Sequence, residues 1–325
     1  WQGVNGQGTI KNIKSEWDRY SLGGEVCKLG TKHAIPSSIN DHILAKKYID
    51  NTIVNWSRDD ALKIIHLIRR MNHCHTLSQN CEYNQQEISQ LSTAFLDYEF
   101  SRIKSSPRNR SGYIELWHKG YNGKFFDLGA YPAFKLWTLI LDTFWDSSLI
   151  SNNDRQFIFD ELNAEIDSYI TTYNLPSSSS GALGRWALHN GNNWNPVLNA
   201  AALFWAITFW DEEPYTKKAQ DVLHIVLESS WLHRDFILDD GAYIEGPSYL
   251  DVSLSGSIEI NNLLMTSFGE PNHAVKWGLM AEKTTEWMLE NIASDGKFID
   301  FGDTWAKDGY KNFYFIDLLS QVEQI

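Results

Sequence analysis

"LHNGNNWNPVLNAAALFWAITFW", residues 188 to 210, passes from a knot of short polar side chains into a segment that is apolar almost all round. His189, Asn190, Asn192, Asn193 and Asn195 crowd ahead of Val197. One asparagine would suffice to cap a helix by accepting a free N–H of its first turn. The surplus amides therefore ask for a second explanation. From 197 to 210 the pattern predicts a helix covered on every side. The next segment, "YTKKAQDVLHIVLESSW" at 215–231, places Ala219, Val222, Leu223, Val226 and Leu227 in one stripe beneath a charged face. That stripe predicts an amphipathic helix. Buried and half-exposed helices in alternation predict two layers, and hence an all-α ring of helical hairpins.

The rest of the chain agrees. Helical periodicity recurs at 59–71, 83–103, 130–145, 153–170, 254–268, 272–292 and 310–322, while strand-like alternation is scarce. Residues 1–35, with several glycines, are ambiguous and are set apart as an N-terminal extension. The helical domain is assigned to 36–325. Three connections, 105–132, 175–196 and 236–249, are long enough to hold chemistry.

The totals narrow the partners. A net charge of −13 over 325 residues argues against a broad nucleic-acid-binding face. No stretch reaches the roughly 20 apolar residues that span a bilayer, and "WQGVNGQGTI" lacks the pattern of a signal peptide. The 14 Trp, 14 Tyr and 16 Phe exceed what a core of this size usually needs. Aromatic faces stack on sugar rings, though bulky rings also fill helix interfaces. His73, Cys74, His75 and Cys81 lie close in sequence but match no familiar zinc spacing. A Cys74–Cys81 disulfide or two free thiols are the alternatives. No metal or other cofactor is expected. The triplets at Asn55 and Asn109 fit the glycosylation sequon, a pattern that arises often by chance.

"LDDGAYIEGPSYLDV", 238–252, is a turn-rich loop that holds Tyr243, Glu245 and Tyr249. Read with "GNNWNPVLNAAALFWA" at 191–206, it resembles the helical domain of the heparinase II/III-like and alginate-lyase polysaccharide lyases. The related uronyl epimerase acting on dermatan looks similar here. "YNGKFFDLGAYPAFKLW" at 121–137 resembles the family's aromatic sugar-binding stretch, with one extra residue in its Gly-x-Pro. "GKFIDFGDTW" at 296–305 is similar to the family's "FGD" segment. The likeness covers roughly 110–305.

The resemblance implies an incomplete (α/α) toroid that cleaves an acidic polysaccharide such as alginate or a glycosaminoglycan by β-elimination. It also implies secretion or a periplasmic location. A base removes the proton α to the uronate carboxylate and the 4-linked oxygen departs. Asn193 matches the position that offsets the carboxylate charge, as an oxyanion-hole donor does. Its neighbours would hold that amide by hydrogen bonds. Tyr249 matches the phenol that moves the proton, and His189 is a candidate partner. Expected substrate contacts are Trp117, His118, Tyr121, Lys124, Arg185, Asn192, Trp194, Arg234, Tyr243 and Glu245. Lys119 adds to the cationic stretch. Arg185, His233 and Arg234 are candidate cations to ease ionisation of the phenol.

The chain departs from the family pattern at two places. Trp194 stands where several members carry His, and Val252 where many place the tyrosine. Tyr249, Tyr243 or neither then serves as the proton carrier. The family's β-sandwich domain, which donates a second His or Tyr, has no counterpart before Ile325. Three other readings stay open: an inverting hydrolase using Asp239, Asp240, Glu245, Asp300 and Asp303, a non-catalytic glycan-binding toroid, and an epimerase.

Overall fold

The computed structural model describes residues 84–105, 131–176 and 182–268, with scattered positions in 61–72 and 283–291. These residues are mostly helical, and among them there is no strand, only an isolated bridge between Ile237 and Tyr243. The described residues are all-α. The described residues fall into two compact units, one of residues up to Glu165 and one from Ile166 onward. The 1–35 segment, the cysteines and the helices expected at 310–322 lie outside the described residues.

In the first unit, helix α1 (Gln85–Ser105) opens with a reciprocal cap. The Glu87 N–H donates to Asn84 Oδ1 at 3.0 Å, and the Asn84 N–H donates to Glu87 Oε2 at 2.9 Å. Helix α2 (Tyr131–Phe144) buries Phe134, Leu136, Trp137, Leu139, Ile140, Leu141 and Phe144. Its Trp137 meets Phe100 edge-on at 5.7 Å. The buried Arg69 guanidinium pairs with Asp142 and donates to Thr143 Oγ1 at 3.0 Å. Helix α3 (Asn152–Tyr173) contains the division between the units.

The second unit is built around the opening segment. Helix α4 (Ala182–Leu188) sits inside the connection expected at 175–196. Helix α5 (Trp194–Thr208) is buried from Asn195 to Thr208, as its all-round apolar pattern requires. Helix α6 (Thr216–Ser229) buries Ala219, Val222, Leu223, Ile225, Val226 and Ser229 and turns Lys217, His224 and Glu228 outward. A 3₁₀ helix follows at Ser230–Phe236.

Helix α7 begins at Pro247 and runs to Phe268, seven residues earlier than the apolar periodicity suggests. Pro247 needs no N–H partner in a first turn, and Gly246, at φ +91°, supplies the bend before it. Helix α5 packs against both α6 and α7. On α7 the contact face carries Ser253, Gly256 and Ser257, all buried. A methyl at Gly256 would stand 2.7 Å from the Pro196 carbonyl carbon and the Val197 nitrogen, so the two backbones touch there.

Candidate active site

Every backbone donor at the start of α5 is accounted for, and none uses the side chain of Asn193. The Asn193 N–H donates to Glu245 Oε2 at 2.7 Å. The Trp194 N–H donates to Asn192 Oδ1 at 2.9 Å, and the Asn195 N–H to the Asn192 carbonyl at 3.1 Å. Pro196 has no N–H to satisfy. The four groups that a helix start leaves orphaned are thus closed. Asn193 occupies the cap position without making the cap bond.

The other asparagines are committed elsewhere. Asn190 Oδ1 accepts from the Gly191 N–H at 3.0 Å. The Asn192 amide donates to the carbonyls of Ala187 and Trp186, at 3.3 and 3.4 Å, and closes the end of α4. Asn195 donates to the Ser229 carbonyl and hydroxyl at 3.0 and 3.1 Å. Asn199 donates to Ser229 Oγ at 3.0 Å and to Asn195 Oδ1 at 3.1 Å. The buried Tyr169 hydroxyl donates to Asn199 Oδ1 at 2.5 Å, and Ser229 Oγ donates to the Leu188 carbonyl at 2.5 Å. Burial pushes the Tyr169 pKa well up, so this phenol stays a donor.

Asn193 is the exception. It is 4% exposed, and its Oδ1 is enclosed without a hydrogen-bond partner. The neighbouring amides fix the main chain around it rather than bonding its carboxamide, which corrects the expectation that they hold the amide directly.

Beside it stands a second cluster. A tight hairpin at 237–243, with Gly241 at φ +87° near its tip, delivers Tyr243 and Glu245. The Tyr243 hydroxyl donates to Glu245 Oε2 at 2.8 Å, the same oxygen that receives the Asn193 N–H. Burial, then the Glu245 charge, raises the Tyr243 pKa. His233 Nδ1 donates to the Gly191 carbonyl at 3.1 Å, and its ring lies 5.4 Å from that of Tyr243. Burial lowers the His233 pKa to about 4. Tyr249 follows one turn after Glu245, half-buried in the first turn of α7, and its hydroxyl makes no hydrogen bond among the described residues.

Several expected roles change. Asn192 and Tyr243, expected among the substrate contacts, are 0% and 1% exposed and brace the protein internally. Tyr243 is sealed with a raised pKa, so it is a poor proton carrier. Neutral His233 supplies no cation. Arg185 Nε donates to the Leu175 carbonyl at 2.6 Å. Exposed Arg234 lies 4.7 Å over the Trp231 ring. His189 stacks on Tyr173 at 4.4 Å, and its Nε2 donates to the Tyr173 carbonyl at 2.8 Å, leaving Nδ1 as an acceptor. Asp239 and Asp240 are exposed at the hairpin turn, where Asp240 accepts from the Ala242 N–H at 3.0 Å. Trp117, His118, Lys119, Tyr121, Lys124, Asp300 and Asp303 lie outside the described residues. No His, Cys, Asp or Glu cluster suited to a metal occurs among the described residues. No helix among them is long and apolar enough to cross a membrane. Trp186, which sequence reasoning passed over, meets Trp194 edge-on at 6.4 Å.

Comparison with family models, with curated proteins and with solved structures gave no match for this chain.

Proposed function

We propose that the chain is a polysaccharide lyase that cleaves a uronate-containing glycan by β-elimination on an (α/α) toroid, acting outside the cytoplasm. One observation carries the reading: Asn193 Oδ1 is enclosed and unpartnered, and the helix that follows does not use its side chain as a cap. A buried polar group left unpaired costs about 1–3 kcal/mol. Such a cost is retained where the group has a ligand to meet. The Nδ2 of that carboxamide is a donor that would stabilise a uronate carboxylate as density moves onto it with loss of the α-proton, and the unpaired Oδ1 would accept from a sugar hydroxyl.

In this mechanism the Tyr249 oxygen is the base that takes the proton from the carbon α to the carboxylate. The electron pair forms a C=C bond as the C–O bond to the neighbouring sugar breaks. The same phenol returns the proton to the departing oxygen. Glu245 sets the position of the Asn193 main chain, its charge offset by two donors and by the positive end of the α5 dipole. Incubation with alginates and glycosaminoglycans tests the proposal. New ultraviolet absorbance from the unsaturated product is expected. Reducing ends without that absorbance would identify a hydrolase, and solvent deuterium at the α-carbon without cleavage an epimerase.

A further inference from the structure

The 3₁₀ helix at Ser230–Phe236 and the hairpin after it are fastened to residues 191–193, just ahead of α5, by a short set of contacts. His233 Nδ1 donates to the Gly191 carbonyl at 3.1 Å, and the Tyr243 oxygen lies 3.5 Å from the same carbonyl. Glu245 Oε2 accepts from the Asn193 N–H at 2.7 Å and from the Tyr243 hydroxyl at 2.8 Å. A methyl at Gly191 would stand 2.3 Å from the Leu232 carbonyl oxygen and 2.5 Å from the Phe236 ring, so the two segments lie flush. His233 is walled in between them at 0% exposure. With its Nδ1–H committed to Gly191, an added proton must go to Nε2, and a charge arriving there is cut off from bulk solvent.

The ionisable groups around His233 come from few elements among the described residues. The hairpin brings the Tyr243 ring, 5.4 Å away, and Glu245 on its hydroxyl. Arg234 and Asp235, on the 3₁₀ helix itself, are exposed. His189 is stacked on Tyr173, and Glu228 of α6 takes the Tyr173 hydroxyl. Tyr249 of α7 is half-buried. Burial outweighs the pull of the Gly191 carbonyl and lowers the His233 pKa to about 4.

We propose that His233 is an acid-sensitive latch: protonation of its ring favours a state in which residues 230–245 lift from 191–193, so that the Asn193 main chain loses Glu245 while the packed interior of α5 stays in place. The latch stands on this geometry. Its consequence, a reversible loss of turnover in acid, rests on the lyase reading. An imidazole that titrates near 6.5 in water and near 4 when enclosed binds its proton first in the open state. Opening is therefore least favourable above about pH 6.5 and grows as pH falls towards 4, roughly 20-fold from pH 7 to pH 5.

Native-state hydrogen exchange on the full chain, followed by NMR at pH 7 and pH 5 in low urea and corrected for the intrinsic pH dependence of exchange, tests the latch. The Asn193 N–H is expected to exchange through an opening that urea does not promote and that is about 20-fold more populated at pH 5. Amides in the middle of α5 should exchange only through urea-dependent unfolding. His233→Gln keeps a side-chain N–H for Gly191 without a titrating ring, and should abolish the acid response of Asn193. In the unmodified chain the His233 ring nitrogens should still read as the neutral Nδ1–H form at pH 5. The latch is overturned by Asn193 protection that ignores pH, by exchange that follows urea-dependent unfolding alone, or by an acid response that persists in His233→Gln. A ring half-protonated near pH 6.5 with Asn193 still protected overturns it without any variant. Turnover of a uronate polymer alongside any of those results leaves the lyase standing. An acid response as expected, with no turnover at any pH, keeps the latch and removes the lyase.

Discussion

Two polar clusters meet the first turns of α5, and they differ in how completely they are satisfied. In the Tyr169–Asn199–Asn195–Ser229 network the donated hydrogen bonds link α3, α5, α6 and the end of α4, all within buried surroundings. In the Glu245–Tyr243 cluster the helix start is closed just as carefully, yet it surrounds a carboxamide with nothing to hold. The first arrangement is what a fold needs from its amides. The second leaves one amide oxygen unpaired amid satisfied main-chain donors. Satisfied buried networks specify structure, and an unsatisfied member within a well-satisfied neighbourhood is the informative one.

The comparison breaks most directly at Tyr249. Tyr249→Phe is expected to lower turnover about 10²- to 10⁴-fold, the range of a lost general acid–base group, with an unaltered thermal melt. Retention of more than a tenth of the activity would refute its assignment. Asn193→Ala should reduce kcat about 10²- to 10³-fold with a smaller change in KM, and without loss of stability, because no folded-state hydrogen bond disappears. A destabilised but equally fast variant would make Asn193 another structural amide.

Acid should act on the second cluster through His233. Its pKa is about 4 in the folded chain, against 6.5 for the unfolded residue. The unfolded state therefore binds a proton first. Stability is full above about pH 6.5 and declines as pH falls towards 4, by roughly 3 kcal/mol in all. Urea melts across that window should show the slope, and His233→Gln should flatten it. Ser229→Ala removes one hydrogen bond from each of the Leu188 carbonyl and the Asn195 and Asn199 amides, all of which keep another partner, for a loss of about 0.5–1.5 kcal/mol in the same melts, with kcat per folded molecule unchanged. Glu245→Gln keeps an acceptor but removes the charge at the helix start, a loss of about 0.3–1 kcal/mol. A loss as large as that of Ser229→Ala would mean that the charge, not the hydrogen bond, holds Asn193.

The helical class and the stripes of α5 and α6 were legible because their periodicity is local. The start of α7 was not, since "GPSYLDV" reads as turn until Gly246 is seen at positive φ and Pro247 in the first helical turn. Helix α4 hid in a connection because seven residues carry little periodic signal. The cluster of amides announced itself, but its division of labour did not. Ser229 lies 34 residues beyond Asn195 and Tyr169 lies 30 before Asn199, so no local rule assigns those partners. Trp186 had no motif to mark it. Only the structure shows that its ring meets Trp194 edge-on.

Gly256 gives this arrangement its gauge. Because Gly256 has no side chain, α7 seats directly against the Pro196–Val197 peptide, closer than any larger residue there would permit. A single added methyl would act as a shim, prising apart the helix that begins beside Asn193 and the one whose first turn holds Tyr249. The spacing of two helix starts is thereby set by a residue that carries no side chain at all.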